Sequence, residues 1–299
     1  MKITPEFKLP ESFISEYIGR QPEWGPIGYV TYKRTYARPL DSILEYQQKY
    51  AEKAGLTQSE EFWLTVVRVV DGTYSIQKNH CKNLNLPWSD SKAVRSACEM
   101  YRRIWNFKFL PPGRGLWMMG TQYIYDRGSA ALQNCAFVST ENIDKDFAEP
   151  FCFLMDMSML GVGVGGDARG AGKVKLQQPR ITDGVFGDTH MVPDTREGWV
   201  ALVRRILNSY TGAATRPGFI SYQMIRPEGS PITGFGGMAS GPAPLQRLVT
   251  NLQLLLNNYI GKYVDSTLIT DIFNMIGVCV VSGNVRRGAE IILGSPGDT

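Results

Sequence analysis

Apolar residues in the first third of the chain recur at helical spacing. Phe62, Val66, Val67 and Val70 share one face behind Ser59-Glu60-Glu61, an N-cap followed by first-turn acids, and predict a helix over 59–70. Val94, Ala97, Cys98, Tyr101 and Ile104 predict another over 92–107, and a third precedes both over 40–54. Residues 1–40, rich in proline, glycine and aromatics, read as an extended arm packed on something larger. Residues 1–108 are therefore expected to form a mainly helical N-terminal region. The pattern changes after Pro111-Pro112-Gly113. Short apolar runs at 135–138, 162–164 and 291–293 alternate with amphipathic stretches at 149–160, 196–210, 244–260 and 266–281. Asp194 or Thr195 caps the second of these stretches, with Trp199 packing inward. Strands alternating with helices of this length predict βαβ units around a parallel sheet, and so an α/β fold over 109–299. Periodicity alone does not separate an open sheet from a closed barrel.

Composition narrows the class. The 299 residues are 43% hydrophobic and 20% charged, with a formal net charge of +4. That balance suits a globular protein handling phosphorylated small molecules and falls short of the basic stripe of a nucleic-acid binder. The first residues carry no apolar run of a secretion signal, and no apolar stretch reaches membrane-spanning length. Five scattered cysteines, an odd number, argue against a disulfide framework and for a reducing cytoplasm. There is no Cys-x-x-Cys pair and only His80 and His190, so no metal site is expected.

The candidate chemistry lies in four runs. Cys135 opens a short apolar strand in Leu132-Gln-Asn-Cys-Ala-Phe-Val138, where the default reading of a thiol is a buried strand residue. Gly161-Val-Gly-Val-Gly-Gly166 follows a helix, the wrong order for a dinucleotide fingerprint. Its glycines either let a flat ligand lie against the backbone or let a neighbouring helix pack closely. Asp167-Ala-Arg-Gly-Ala-Gly-Lys-Val-Lys175 reads as a glycine loop from which Arg169 and Lys173 project, either to hold a triphosphate or as solvated charges. Arg226-Pro-Glu-Gly-Ser-Pro-Ile-Thr-Gly-Phe-Gly-Gly-Met-Ala-Ser-Gly-Pro242 has the composition of an adaptable loop around Phe235. Gly113-Arg114-Gly115 and Asn284-Val-Arg-Arg287 read as cation-bearing strand or turn edges, with Arg287 and Glu290 as a structural ion pair. Cys81, Cys98, Cys152 and Cys279 are assigned to packing.

Together with Trp24-Gly-Pro-Ile-Gly-Tyr-Val-Thr-Tyr-Lys-Arg-Thr-Tyr-Ala-Arg38 and Leu110-Pro-Pro-Gly-Arg-Gly-Leu-Trp-Met-Met-Gly-Thr121, these runs resemble the N-terminal part of the ribonucleotide reductases. The similarity is greatest to the adenosylcobalamin-dependent (class II) ribonucleoside-triphosphate reductases. The cysteine run matches that family's Leu-Asn-Asn-Cys-x-Phe-Val pattern with Gln133 as the one change. The resemblance implies a ten-stranded α/β barrel of two five-stranded halves, this chain supplying the helical region and about the first half. It implies reduction of ribonucleoside triphosphates to deoxyribonucleotides by a cobalamin-initiated thiyl-radical mechanism. Cys135 would be one of the two reducing thiols rather than the hydrogen-abstracting radical.

On the same resemblance Asn134, Gly165, Gly166 and Arg114 approach the substrate. Arg169 and Lys173 belong to the first specificity loop, which touches a deoxynucleotide effector. Arg226, Gly234, Phe235, Gly236 and Gly237 belong to the second, between effector and substrate base. The segment from Gly166 to Asp194 is short beside well-known monomeric relatives, which puts allosteric control in question. The radical cysteine and the partner thiol fall beyond Thr299. The chain is thus expected to be a fragment, inactive until a complementary C-terminal piece supplies them. That piece would hold most of the adenosylcobalamin site, and a thioredoxin-like protein would renew the thiols. The rival readings are a non-catalytic nucleotide-binding module and part of a class I large subunit.

Overall fold

The computed structural model describes residues 3–181, 188–232, 237–282 and 288–298. Residues 3–133 form one compact unit, and the described residues from 134 onward form a second.

The first unit is helical: α1 (Glu11–Ile14), α2 (Pro26–Thr35), α3 (Glu45–Lys53), α4 (Phe62–Asn83), α5 (Asp90–Trp105), α6 (Gly113–Met118) and α7 (Gln122–Arg127). Its core is built on α4 and α5, where Phe62, Trp63, Leu64, Tyr101 and Ile104 are fully enclosed. Each such side chain contributes roughly 1.5–3 kcal/mol by leaving water.

Three expectations change here. Residues 1–40 are not all extended arm, because Pro26 presets the first turn of α2 and Tyr32 anchors that helix against Phe62, ring centroids 5.4 Å apart. Ser59-Glu60-Glu61 is not a cap with first-turn acids. Lys33 Nζ occupies Ser59 Oγ at 3.0 Å and Glu61 Oε1 at 2.9 Å, while Glu60 turns inward to meet Arg68. Gly113-Arg114-Gly115 opens α6 and is not a strand or turn edge.

The helix expected over 59–70 starts at Phe62 and runs on to Asn83, beyond the apolar pattern, because its buried face there is polar and carries no hydrophobic periodicity. Asp71, Ser75 and Asn79, four residues apart, receive the backbone N–H groups of Leu9 (2.8 Å), Phe7 (3.1 Å) and Thr4 (3.1 Å). The N-terminal segment is thereby laced along α4, with Phe7 and Leu9 buried beneath it. The Arg68 guanidinium is fully buried between Glu60 and the carbonyls of Leu116 and Met119. Removing one partner of such a pair costs about 3–5 kcal/mol.

The second unit is α/β. A parallel sheet runs in the order β1 (Cys135–Val138), β2 (Gly163–Asp167), β5 (Glu290–Leu293), and β3 (Thr189–Met191) pairs in parallel with β4 (Phe219–Ser221). Helix α8 (Glu149–Met159) links β1 to β2 as a βαβ unit. The remaining helices are α9 (Arg196–Ser209), α10 (Ala243–Asn257) and α11 (Ser266–Val281). Helices α8 and α11 cover one face of the larger sheet, joined by the Phe151–Phe273 ring contact at 5.6 Å. Thr195, not Asp194, caps α9, its Oγ1 accepting from Gly198 N–H at 3.0 Å, and Trp199 is only half-buried. Asp194 is occupied by Arg226. Among the described residues no helix is long and apolar enough to cross a membrane.

Burial pushes the fully enclosed Asp71 up to about 7, although hydrogen bonds from Tyr46 and the Leu9 N–H favour its charged form. An unfolded Asp titrates near 3.9. The folded form therefore holds the proton more tightly. That stabilising share is full below about pH 4 and is lost as the pH rises through 7. Asp71→Asn should flatten this slope, on the order of 2–4 kcal/mol across the interval, in urea denaturation at pH 4 and pH 7.5. An unchanged slope would contradict this account of the buried carboxyl.

Candidate functional site

The face of the β1–β2–β5 sheet opposite the helices is open within this unit. Strand alternation places Cys135 and Phe137, Gly163 and Gly165, and Ile291 and Leu293 on it. The register agrees, pairing Cys135 with Gly163 and Phe137 with Gly165, and Gly165 with Ile291. Phe137 is 52% exposed, Ile291 61% and Leu293 52%, although β-strands of a parallel sheet are ordinarily covered on both sides. Cys135 lies at the N-terminal end of this face with its side chain exposed, so the default reading of a buried strand thiol does not hold. Asn134 beside it is exposed as well, and its carbonyl accepts from Gly163 N–H at 2.9 Å.

The other cysteines differ. Cys152 on α8 is buried with its thiol toward the Val200 carbonyl, and burial pushes it up to about 12. Cys279 on α11 is buried and likewise raised to about 12. Cys81 and Cys98 are half-buried in the first unit.

Three of the four glycines of the 161–166 run have separate structural reasons. Gly161, at φ +75°, ends α8 in the left-handed conformation, its N–H donating to Ser158 O at 2.7 Å. Gly165 lies under Phe137, where a Cβ would stand 2.9 Å from the ring and 3.1 Å from Ile291. Gly166 points the other way, into the helical layer, where a Cβ would meet the Phe273 ring at 2.5 Å. It serves packing under α11, not approach to the open face. Gly163, which sequence reasoning passed over, has room for a methyl group and lies directly beside Cys135. Only the strand register, a non-local property, could have singled it out.

At the C-terminal ends of the strands a cavity of about 410 Å³ is lined by Phe137, Ser139, Glu141, Asp167, Arg169 and Ser295 among others. Ligands of open α/β sheets favour this end. Burial alone would raise the Asp167 carboxyl, but hydrogen bonds from Ser139, from Thr140 and from the Arg169 N–H outweigh it and hold the group below its usual range. The following loop is tied down, Gly170 N–H donating to Thr140 Oγ1 at 2.9 Å and Gly172 N–H to Val264 O at 2.7 Å. Arg169 and Lys173 do not simply project. Arg169 reaches the Glu141 carboxylate at 3.4 Å, and Lys173 Nζ donates to the Glu141 carbonyl at 2.6 Å.

Arg226 is held by Asp194 at 2.6 Å and by Pro231 O at 3.0 Å, at the foot of a loop closed by Gly229 N–H to Ala239 O and Ile232 N–H to Gly237 O. Gly237 has φ +90°, while Gly234, Phe235 and Gly236 lie outside the described residues. Arg114 belongs to the first unit, its guanidinium donating to Ala131 O and standing 6.0 Å from the Trp117 ring. Arg287 lies outside the described residues. Glu290 faces Gly277 on α11, and burial raises its carboxyl to about 7. Among the described residues no group of three or more His, Cys, Asp or Glu is placed to hold a metal ion.

Comparison with known proteins bears on the fold and the family. Residues 9–121 match the ribonucleotide reductase alpha domain, and residues 167–256 match the insertion domain of B12-dependent ribonucleotide reductase. A probable adenosylcobalamin-dependent ribonucleoside-triphosphate reductase of Dictyostelium discoideum is 43% identical over 97% of this chain and 38% of its own length. The Euglena gracilis reductase of that description is 43% identical over 292 aligned positions, 96% of this chain and 38% of its own. That of Lactobacillus leichmannii is 33% identical, needs 341 aligned positions for the same 96%, and is covered to 44%. The bacterial protein thus carries additional residues within the shared region. A crystal structure of B12-dependent (class II) ribonucleotide reductase superimposes with a TM-score of 0.76 at 29% identity, over 97% of this chain and 45% of that one. This chain spans about two-fifths of the length of these relatives.

Gly166→Ala should destabilise the second unit by about 1–3 kcal/mol, because Phe273 must shift to admit the methyl group. Thermal denaturation measures this directly. An unchanged midpoint would mean that the sheet and α11 are less closely packed than described.

Proposed function

The chain belongs to the ribonucleotide reductase family, and on that premise we propose that it forms the substrate-facing N-terminal part of an adenosylcobalamin-dependent ribonucleoside-triphosphate reductase. The observation that carries the reading is the place of Cys135. It is the exposed thiol at the head of an uncovered parallel sheet, while the unit's other cysteines are buried and held far from ionisation. The overall reduction balances with two thiols. Two cysteine S–H groups become one disulfide, the ribose C2′–OH bond is replaced by C2′–H, and the oxygen leaves as water. Cys135 supplies one thiol. The second comes from the complementary C-terminal reductase sequence, because Cys152 and Cys279 are buried on helices. A thioredoxin-like dithiol then reopens the disulfide, which suits a reducing, cytoplasmic setting.

The residues described here do not fit adenosylcobalamin itself. The 410 Å³ cavity is too small for a corrin with its nucleotide tail, and the open face around Cys135 is apolar. The cavity and the Asp167–Lys175 loop suit a deoxynucleotide effector, whose phosphates would take Arg169 and Lys173 from Glu141. The loop from Arg226 to Pro242 would read the substrate base, and Asn134, beside Cys135, would contact the substrate. The match to the B12-dependent insertion domain favours this reading over a class I large subunit.

The test is Cys135→Ser in the reductase assembled from this chain and its C-terminal complement. Turnover with adenosylcobalamin and a dithiol should be abolished, while affinity for the ribonucleoside triphosphate stays within about twofold. The 299-residue chain alone should form no deoxynucleotide, for want of a second thiol on the open face. Full turnover by the serine variant would remove Cys135 from the chemistry.

A further inference from the structure

Helix α2 is built the wrong way round for a helix on a surface. Its inward side chains have polar tips: Tyr32 Oη shares a hydrogen bond with Thr65 Oγ1 at 2.7 Å, Tyr29 donates to Glu61 Oε1 at 3.2 Å, and Lys33 Nζ donates to Glu60 O at 2.9 Å. Its outward side chains are apolar. Ile27 is 83% exposed and Val30 61%, and the exposed Arg34 continues the same stripe at spacings of three and four residues. A surface helix ordinarily turns its polar face to water. From Pro22 to Val30 the one charged residue is Glu23, so the N-terminal half of α2 is apolar around its circumference. A helix apolar all round belongs between two bodies.

Beside this end of α2 the surface opens into a cavity of about 460 Å³, lined by Pro22, Trp24, Pro26 and Tyr29 among others. Its aromatic floor is fixed from below, because the Trp24 ring packs on Phe62 at 4.9 Å and on Tyr32 at 5.2 Å between centroids. Stripe and cavity together make a face with apolar ground, a recess for a large side chain and a cation at one edge. The core of the first unit uses neither Ile27 nor Val30.

We infer that this face of the first unit is a docking surface for the C-terminal reductase sequence, which lays on it an apolar segment carrying a carboxylate opposite Arg34. The inference rests on the reading of the chain as the N-terminal part of such a reductase. More than half of the length of the relatives lies outside the region that this chain spans, so the remaining sequence is large enough to cover the face. A second copy of the chain is the poorer occupant. The ten residues of α2 make a strip about 15 Å long and about 10 Å wide, roughly a few hundred Å² with both sides counted, against the roughly 1,000 Å² of a stable interface. Such a face is too small to hold a partner alone and suits one that is also bound elsewhere.

Hydrogen exchange and dissociation kinetics test this, with the intact chain and the C-terminal complement as probe. Assembly should protect the amides of 27–34 beyond their level in the free chain. Ile27→Asp combined with Val30→Asp should leave the thermal midpoint of the free chain unchanged, because neither side chain takes part in its core. The same pair should speed dissociation of the complement about tenfold or more. Arg34→Glu should speed it severalfold, with the difference from wild type shrinking in about 0.5 M salt. A doubly substituted chain that releases the complement at the wild-type rate, or whose own midpoint falls markedly, would overturn the inference while leaving the reductase reading intact. So would a wild-type dimer that the two aspartates dissolve, since a second copy would then be the occupant. A wild-type chain that does not bind the complement at all would remove the reductase reading, and the inference with it.

Discussion

The register between β1 and β2 governs everything at the candidate site. Side chains alternate across a strand, so a slip of one residue would turn Cys135 into the helical layer and present Asn134 or Ala136 in its place. Backbone hydrogen bonds alone would allow several pairings. Side-chain packing across the strands supports the pairing that is seen. Phe137 lies over Gly165 on the open face, which joins β1 to β2 in this pairing, and Phe273 packs on Gly166 from the helical face, which seats β2 against α11. The direction of the thiol is thus tied to the packing of Phe137 on Gly165, two residues further along.

The first unit is held by buried polar groups as well as by its aromatic core. Arg68 and Glu60 form a fully enclosed pair whose remaining donors end on the carbonyls of Leu116 and Met119. Gly72 and Gly120 let α4 and the segment after α6 approach so closely that a Cβ at Gly72 would lie 2.6 Å from the Gly120 backbone. A pair of this kind adds little net stability over an apolar equivalent, but it penalises every arrangement that leaves one charge alone. It fixes where the 116–121 segment must sit.

The sequence disclosed helices wherever one face was apolar and the other polar, as in α5 and α9. It understated α4, because Asp71, Ser75 and Asn79 are buried to receive the N-terminal backbone and so interrupt the apolar stripe. It missed α2 for the opposite reason: Ile27 and Val30 face outward and only Tyr32 is buried, so the helix has no amphipathic pattern. Cys135 was legible through its neighbours in the chain. The separate packing of Gly165 and Gly166 was not, since each depends on what lies above or below the strand, and Phe273 is more than a hundred residues away. Arg169 and Lys173 were legible as cations, but their attachment to Glu141 depends on how the loop folds back on the end of β1.

The contact between Phe137 and Gly165 also has a consequence for how such a chain can change over generations. A side chain at 165 has no room while the phenyl ring lies across it, and a smaller residue at 137 would leave an uncovered groove over bare backbone. A change at one of the two positions therefore alters what the other can hold, and the strand that carries the thiol is joined to the strand beside it by this packing as well as by hydrogen bonds.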